Sequence, residues 1–216
     1  MQNIAIVDYG MGNLRSVVKA VEYLGGKDIR AALTADSAVI KAADRIIFPG
    51  QGAIGYCMAA LQRLGLDTVI SDAIGRKPFL GICVGFQALL SQSDEDGGTP
   101  ALDILPGGVH KFPPAQVDPK TGERLKVPHM GWNQVYQQGT HPLWEGIADG
   151  HRFYFVHSFY VQPELASAST GRCHYGLDFA AAAAGDGWFA TQFHPEKSAD
   201  AGLQILRNFV AWDGSA

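Results

Sequence analysis

The stretch from Lys77 to Gln87, Lys-Pro-Phe-Leu-Gly-Ile-Cys-Val-Gly-Phe-Gln, constrains the fold more than any other part of the chain. Phe79, Leu80 and Ile82 form a short apolar run of the kind a buried strand uses. The run breaks at Cys83, with Gly81 two residues before it and Gly85 two residues after. Apolar residues return at Phe86, Leu89 and Leu90 with helical spacing. A nucleophile on a sharp strand-to-helix turn needs neighbours without bulk, and glycine supplies them. Cys83 would then sit at a helix start, where backbone N–H groups and the helix dipole favour thiolate over thiol. The Val84 N–H would point towards a developing oxyanion. A structural cysteine packed between two glycines fits this stretch equally well, so the choice falls to the rest of the chain.

A catalytic cysteine needs a histidine, brought close by the fold and not by the sequence. Thr191-Gln192-Phe193-His194-Pro195-Glu196 offers one directly after an apolar, strand-like run. His194 can act as general base, and Glu196 can fix its tautomer and stabilise its cation. Gly-x-Cys-x-Gly-x-Gln followed far downstream by His-Pro-Glu resembles the class I, triad-type glutamine amidotransferases. The resemblance implies Cys83, His194 and Glu196 as the catalytic triad of a glutaminase that works without metal or cofactor. Pro49-Gly50-Gln51-Gly52 matches that family's oxyanion loop, so the N–H groups of Gly52 and Val84 are the implied oxyanion donors. Gln51 fills the loop's variable position, where the backbone can act whatever the side chain. Tyr154-Phe155-Val156-His157-Ser158 resembles the family strand beside the glutamine pocket. Gln87 and the backbone after His157, at Ser158 and Phe159, are then the implied substrate contacts. His157 has no carboxylate near it in sequence, so His194 is preferred as the base.

Ile4 to Val7 reads as a buried first strand, and Leu14, Val17, Val18, Val21 and Leu24 as one helix face stopped by Gly25-Gly26. The loop between them holds Gly10 and Gly12 but has Arg15 where a dinucleotide fingerprint needs its third glycine. A strand at Ile29–Ala32, a helix at Ser37–Ala43 capped by Asp36 or Ser37, and a strand at Arg45–Phe48 follow. Met58, Leu61 and Leu64, then Val69 to Ile74, mark two more helices. This alternation predicts an α/β fold: a mostly parallel central sheet with helices on both faces, flavodoxin-like by the family resemblance. Beyond Leu90 the texture changes. Asp94-Glu95-Asp96-Gly97-Gly98 reads as a solvated loop, Gly107 to Phe112 as extended, and Asp118 to Gly122 as an exposed hairpin turn. Arg152 to Gln192 reads as an additional antiparallel portion with a hairpin at Gly185-Asp186-Gly187. A last helix carries Leu203, Leu206, Phe209 and Val210 on one face.

A chain of 216 residues is most simply one domain. A net charge of −4, with no long basic run, gives no reason to expect nucleic acid. No stretch approaches membrane-span length, and the N-terminus opens on a strand and not on a signal peptide. Three scattered cysteines, Cys57, Cys83 and Cys173, suit a reducing cytoplasm. Asp8-Tyr9-Gly10-Met11-Gly12-Asn13 and Pro128-His129-Met130-Gly131-Trp132-Asn133 resemble strings of one subfamily, the glutaminase subunits of imidazole glycerol phosphate synthase. That resemblance implies a heterodimer with a (β/α)8-barrel synthase/cyclase subunit that receives the ammonia. The glutaminase of another synthase, such as that for anthranilate or pyridoxal phosphate, is the alternative. Asn13, Trp132, Tyr154 and Lys197 are the expected partner contacts. Core packing of Trp132 and Tyr154 and a solvated Lys197 are the competing expectation.

Overall fold

The computed structural model describes residues 1–11, 14–117 and 122–215. Asn13, an expected partner contact, and the hairpin residues 118–121 lie outside them. The first half alternates strictly: β1 (Gln2–Val7), α1 (Arg15–Gly25), β2 (Ile29–Thr34), α2 (Ser37–Ala42), β3 (Arg45–Gly50), α3 (Ile54–Leu64), α4 (Leu66–Ala73) and β4 (Phe79–Cys83). The strands pair in parallel in the order β2-β1-β3-β4. From β1 the chain steps one way to β2 and then the other way to β3 and β4. Right-handed crossovers therefore put α1 on one face and α2 to α4 on the other. Ile4, Ile6, Ile46, Ile47, Phe48, Leu80 and Ile82 are all buried, as the continuous apolar runs of a sheet covered on both faces require. Asp36 caps α2 by accepting from the Ala38 N–H at 2.8 Å.

The second half is mainly antiparallel. It comprises α5 (Val84–Gln87), β5 (Leu90–Ser93), β6 (Thr99–Pro100), β7 (Leu105–Lys111), β8 (His129–Gln137), β9 (His151–His157), β10 (Phe159–Pro163), β11 (Ser169–His174), β12 (Asp178–Gly185), β13 (Trp188–Thr191) and α6 (Ala199–Ala211). The hairpin β12–β13 returns the chain to the first half, where β13 lies parallel to β4. The carboxyl ends of β1, β3, β4 and β13 therefore share one edge, the usual location of ligands in such sheets.

Three sequence expectations need correction. The helix expected through Phe86, Leu89 and Leu90 is the single turn α5, and Leu90 already opens β5. Leu89 and Leu90 are buried because two elements meet there, a context that the spacing could not report. Glu95 is not merely a solvated loop residue: its Oε2 accepts from the Ile54 N–H at 2.7 Å and caps α3 from a distance. In α6 the buried residues are Ala201, Gly202, Ile205, Leu206 and Phe209, while Leu203 and Val210 sit at the margin.

Candidate active site

Cys83 ends β4 with φ +56° and ψ −109°, a strained backbone for any residue but glycine. The neighbouring glycines are compelled by contact. A Cβ at Gly85 would lie 1.8 Å from the Phe48 carbonyl oxygen. One at Gly50, which pairs with Cys83 across β3–β4, would meet the Val84 Cβ at 2.7 Å and the Gly85 nitrogen at 2.8 Å. The elbow is thus wedged onto β3, which fixes the thiol relative to the Gly50–Gly52 loop. With only one turn, α5 offers Cys83 individual N–H groups and no long helix dipole.

Beside Cys83 lies a cavity of about 350 Å³. Gly52 and Val84 form one side of it, and Val156, His157, Ser158 and Phe159 another, with Gln87, Glu95 and Pro128 completing the wall. The expected oxyanion and substrate residues are thereby brought together. The Gln51 N–H donates to the buried Tyr9 hydroxyl at 3.3 Å, and of the loop's residues it is Gly52 that lines the cavity.

His194 and Glu196 follow β13, adjacent to β4. The His194 Nδ1 pairs with the Glu196 Oε1 at 2.9 Å, and both side chains are almost fully buried. The turn is held by backbone: the His194 N–H donates to the Tyr154 carbonyl at 3.0 Å, and the Ser198 hydroxyl donates to the His194 carbonyl at 2.7 Å. Burial opposes a charged His194, but the Cys83 sulfur and the Glu196 carboxylate outweigh it and raise its pKa to about 10. Its partners Cys83 and Glu196 thus favour the charged ring.

The pattern of the family described as Glutamine amidotransferase class-I matches residues 5–212. The chain belongs to this family. It is 57% identical over 212 residues to "Imidazole glycerol phosphate synthase subunit HisH" of Dechloromonas aromatica (strain RCB), covering 98% of this chain and 97% of the other. It is 55% identical over 214 residues to the protein of the same name from Pseudomonas syringae pv. syringae (strain B728a), covering 99% of each. Among solved structures, PurLQS from Thermotoga maritima matches with a TM-score of 0.71 at 17% identity, over 97% of this chain and 98% of that one. The glutaminase domain of CTPS from Trypanosoma brucei, solved with bound acivicin, matches with a TM-score of 0.63 at 15% identity, over 99% of this chain and 95% of that one. These structural likenesses concern the fold alone.

In this class I amidotransferase the other histidines of the region are built to stay neutral. The His157 Nδ1 donates to the Phe159 carbonyl at 2.7 Å, so its Nε2 accepts from the His129 Nδ1 at 2.9 Å. Burial lowers the His129 pKa to about 4, and burial together with His129 lowers that of His157 to about 3. His157 thus supports the cavity wall. Cys57 and Cys173 are buried away from the cavity, and burial pushes Cys57 up to about 12 and Cys173 upward as well. Trp132 is 49% exposed and meets the half-buried Tyr154 edge to face at 6.0 Å, while Lys197 is exposed. The surface, and not the core, holds Trp132.

Two site residues escaped the sequence reading. Glu95 reaches the cavity from the loop between β5 and β6. Gln192, fully buried, places its Nε2 3.8 Å from the Cys83 Sγ and its Oε1 3.1 Å from the Gln87 Nε2. An amide closing an otherwise apolar run was the available signal.

Proposed function

We propose that the chain is the cytoplasmic glutaminase subunit of an imidazole glycerol phosphate synthase. It hydrolyses glutamine to glutamate and ammonia and delivers the ammonia to a (β/α)8-barrel synthase/cyclase subunit in a heterodimer. The observation that carries the chemistry is a strained cysteine at a cavity wall with a buried histidine–glutamate pair in the turn after the neighbouring strand. The similarity to synthase subunits over nearly the whole chain supports the biosynthetic assignment.

The Cys83 sulfur attacks the side-chain amide carbon, and the carbonyl electrons move onto oxygen, which meets the Gly52 and Val84 N–H groups. Removing one such donor typically costs about 2.7–4 kcal/mol. His194 gives its Nε2 proton to the amide nitrogen, the C–N bond breaks, and ammonia leaves a cysteinyl thioester. The neutral imidazole then takes a proton from water, whose oxygen attacks the thioester. Collapse releases glutamate and returns the thiolate–imidazolium pair. Glu196 keeps the ring oriented through both transfers. Gln87 and Glu95 offer acceptors to the substrate's ammonium group, and the Ser158–Phe159 segment faces its amino-acid end. The barrel is read as docking against Trp132, Tyr154 and Lys197, of which Trp132 and Lys197 are exposed and Trp132 meets Tyr154 edge to face, so that ammonia leaves without meeting bulk water.

The test is Cys83→Ala in the reconstituted complex. Glutamine-dependent synthesis disappears, while synthesis from added ammonia continues because that chemistry belongs to the partner. Glutamine-dependent turnover persisting in the variant defeats the assignment.

A further inference from the structure

We propose that Gln192 is a positioning residue that acts on both reactants: its amide N–H holds the Cys83 sulfur, and its amide oxygen orients Gln87 towards the substrate. The inference rests on the reading of Cys83 as nucleophile. Gln192 has no accessible surface and lies at the end of β13, the strand paired with β4. Its backbone is fixed by an N–H donated to the Ala181 carbonyl at 2.8 Å, and the following turn is closed by the Thr191 hydroxyl donating to the Phe193 carbonyl at 2.9 Å. The side chain has little freedom to wander.

The polarity of the amide is forced from both ends. The Gln192 Nε2 faces the Cys83 Sγ at 3.8 Å, and its Oε1 faces the Gln87 Nε2 at 3.1 Å. Rotating the amide by a half-turn would set an oxygen against the sulfur and one NH2 against another. The Phe159 carbonyl fixes the Gln87 amide, Gln87 fixes the Gln192 oxygen, and the Gln192 Nε2 is thereby turned to the sulfur. The Gln87 Nε2 has a second acceptor in the Phe159 carbonyl at 3.2 Å, so both of its hydrogens are used inside the protein. The Gln87 Oε1 is left as that side chain's open polar atom at the cavity, able only to accept. An amide suits the sulfur contact because it donates without titrating. It does not compete with His194 for the proton that must pass to the leaving ammonia.

Two substitutions separate the two contacts. Gln192→Glu keeps an oxygen for Gln87 but removes the donor to sulfur. Gln192→Met removes both and retains an unbranched side chain of similar length. Folding is checked by thermal unfolding. Two quantities are then measured with the full chain and its synthase subunit. One is the pH dependence of Cys83 alkylation by iodoacetamide, mapped by peptide mass, and the other is KM and kcat for glutamine. Both variants are expected to move the acid limb of alkylation upward by about one pH unit, the shift that follows from losing a hydrogen bond to a charged group. KM is expected to rise about tenfold in Gln192→Met and much less in Gln192→Glu. Ammonia-dependent synthesis is expected to stay at the wild-type rate. Packing alone would lower the melting temperature and leave the alkylation profile unmoved. Folded variants with the wild-type profile and KM overturn the proposal. Failure of iodoacetamide to modify Cys83 in the unsubstituted chain would instead overturn the nucleophile assignment beneath it.

Discussion

Gly85→Ala tests the elbow directly, because the structure sets the size of the effect. The added Cβ would sit 1.8 Å from the Phe48 carbonyl oxygen, 2.9 Å from its carbon and 3.4 Å from its ring. The closest obstacles are backbone atoms of a central strand, so no side-chain rotation relieves them. Ordinary contact begins near 3.4 Å, and α5 must therefore lift from β3 by about 1.5 Å. Overpacking a core costs about 1–3 kcal/mol, and this case belongs at or above the upper end. A loss of about 3 kcal/mol in a chain of this size lowers the melting temperature by about 6–12 °C. The function suffers more: a displacement of about 1 Å of a reacting group can cost about 100-fold in rate. Two controls bracket the result. At Gly81 the nearest atom is the Gly85 carbonyl oxygen at 3.1 Å, which a few tenths of an ångström relieve. At Gly26, with φ +51°, nothing lies within 4 Å and only backbone strain remains. The measurements are thermal unfolding and glutaminase rate for all three alanine variants. The reasoning fails if Gly85→Ala melts within about 2 °C of wild type or is no worse than Gly26→Ala.

Three further outcomes follow from the same geometry. A glutamine analogue carrying an electrophile modifies Cys83 and spares Cys57 and Cys173, which are buried and held as thiols; equal labelling of all three in the folded chain, read by peptide mass mapping, would contradict an activated site. His129 and His157 have folded pKa values of about 4 and about 3, below the unfolded value near 6.5, so their contribution to stability is complete above pH 6.5 and is lost as pH falls towards 3. Denaturant unfolding between pH 7 and 4.5 should lose up to about 1.4 kcal/mol per pH unit for each proton taken up, and His129→Phe should flatten that slope. Trp132→Ala and Lys197→Ala, both at exposed positions, leave the fold intact and weaken binding to the synthase subunit, about tenfold or more for the tryptophan; titration calorimetry showing wild-type affinity in both places the interface elsewhere.

The sequence by itself carried the parts of this protein that are local or periodic. The glycines around Cys83 announced an elbow because only glycine tolerates the approach of a neighbouring strand. The alternation from Ile4 to Ile82 announced a parallel sheet because strands covered on both faces must be apolar throughout. His-Pro-Glu announced a base and its orienting carboxylate because the two sit within one turn of chain. Tertiary structure alone decided what depends on distant segments meeting. Leu89 and Leu90 carry helical spacing, yet packing between elements takes Leu90 into a strand. Glu95, in an acidic loop indistinguishable from a solvated one, finds the bare N-terminus of α3 and the edge of the cavity. Trp132 could have been core or surface, since an aromatic ring suits both. Gln192 acquires its place only when β13 pairs with β4, because hydrogen bonds to Gln87 and Cys83 span more than a hundred residues of chain and leave no trace in local pattern.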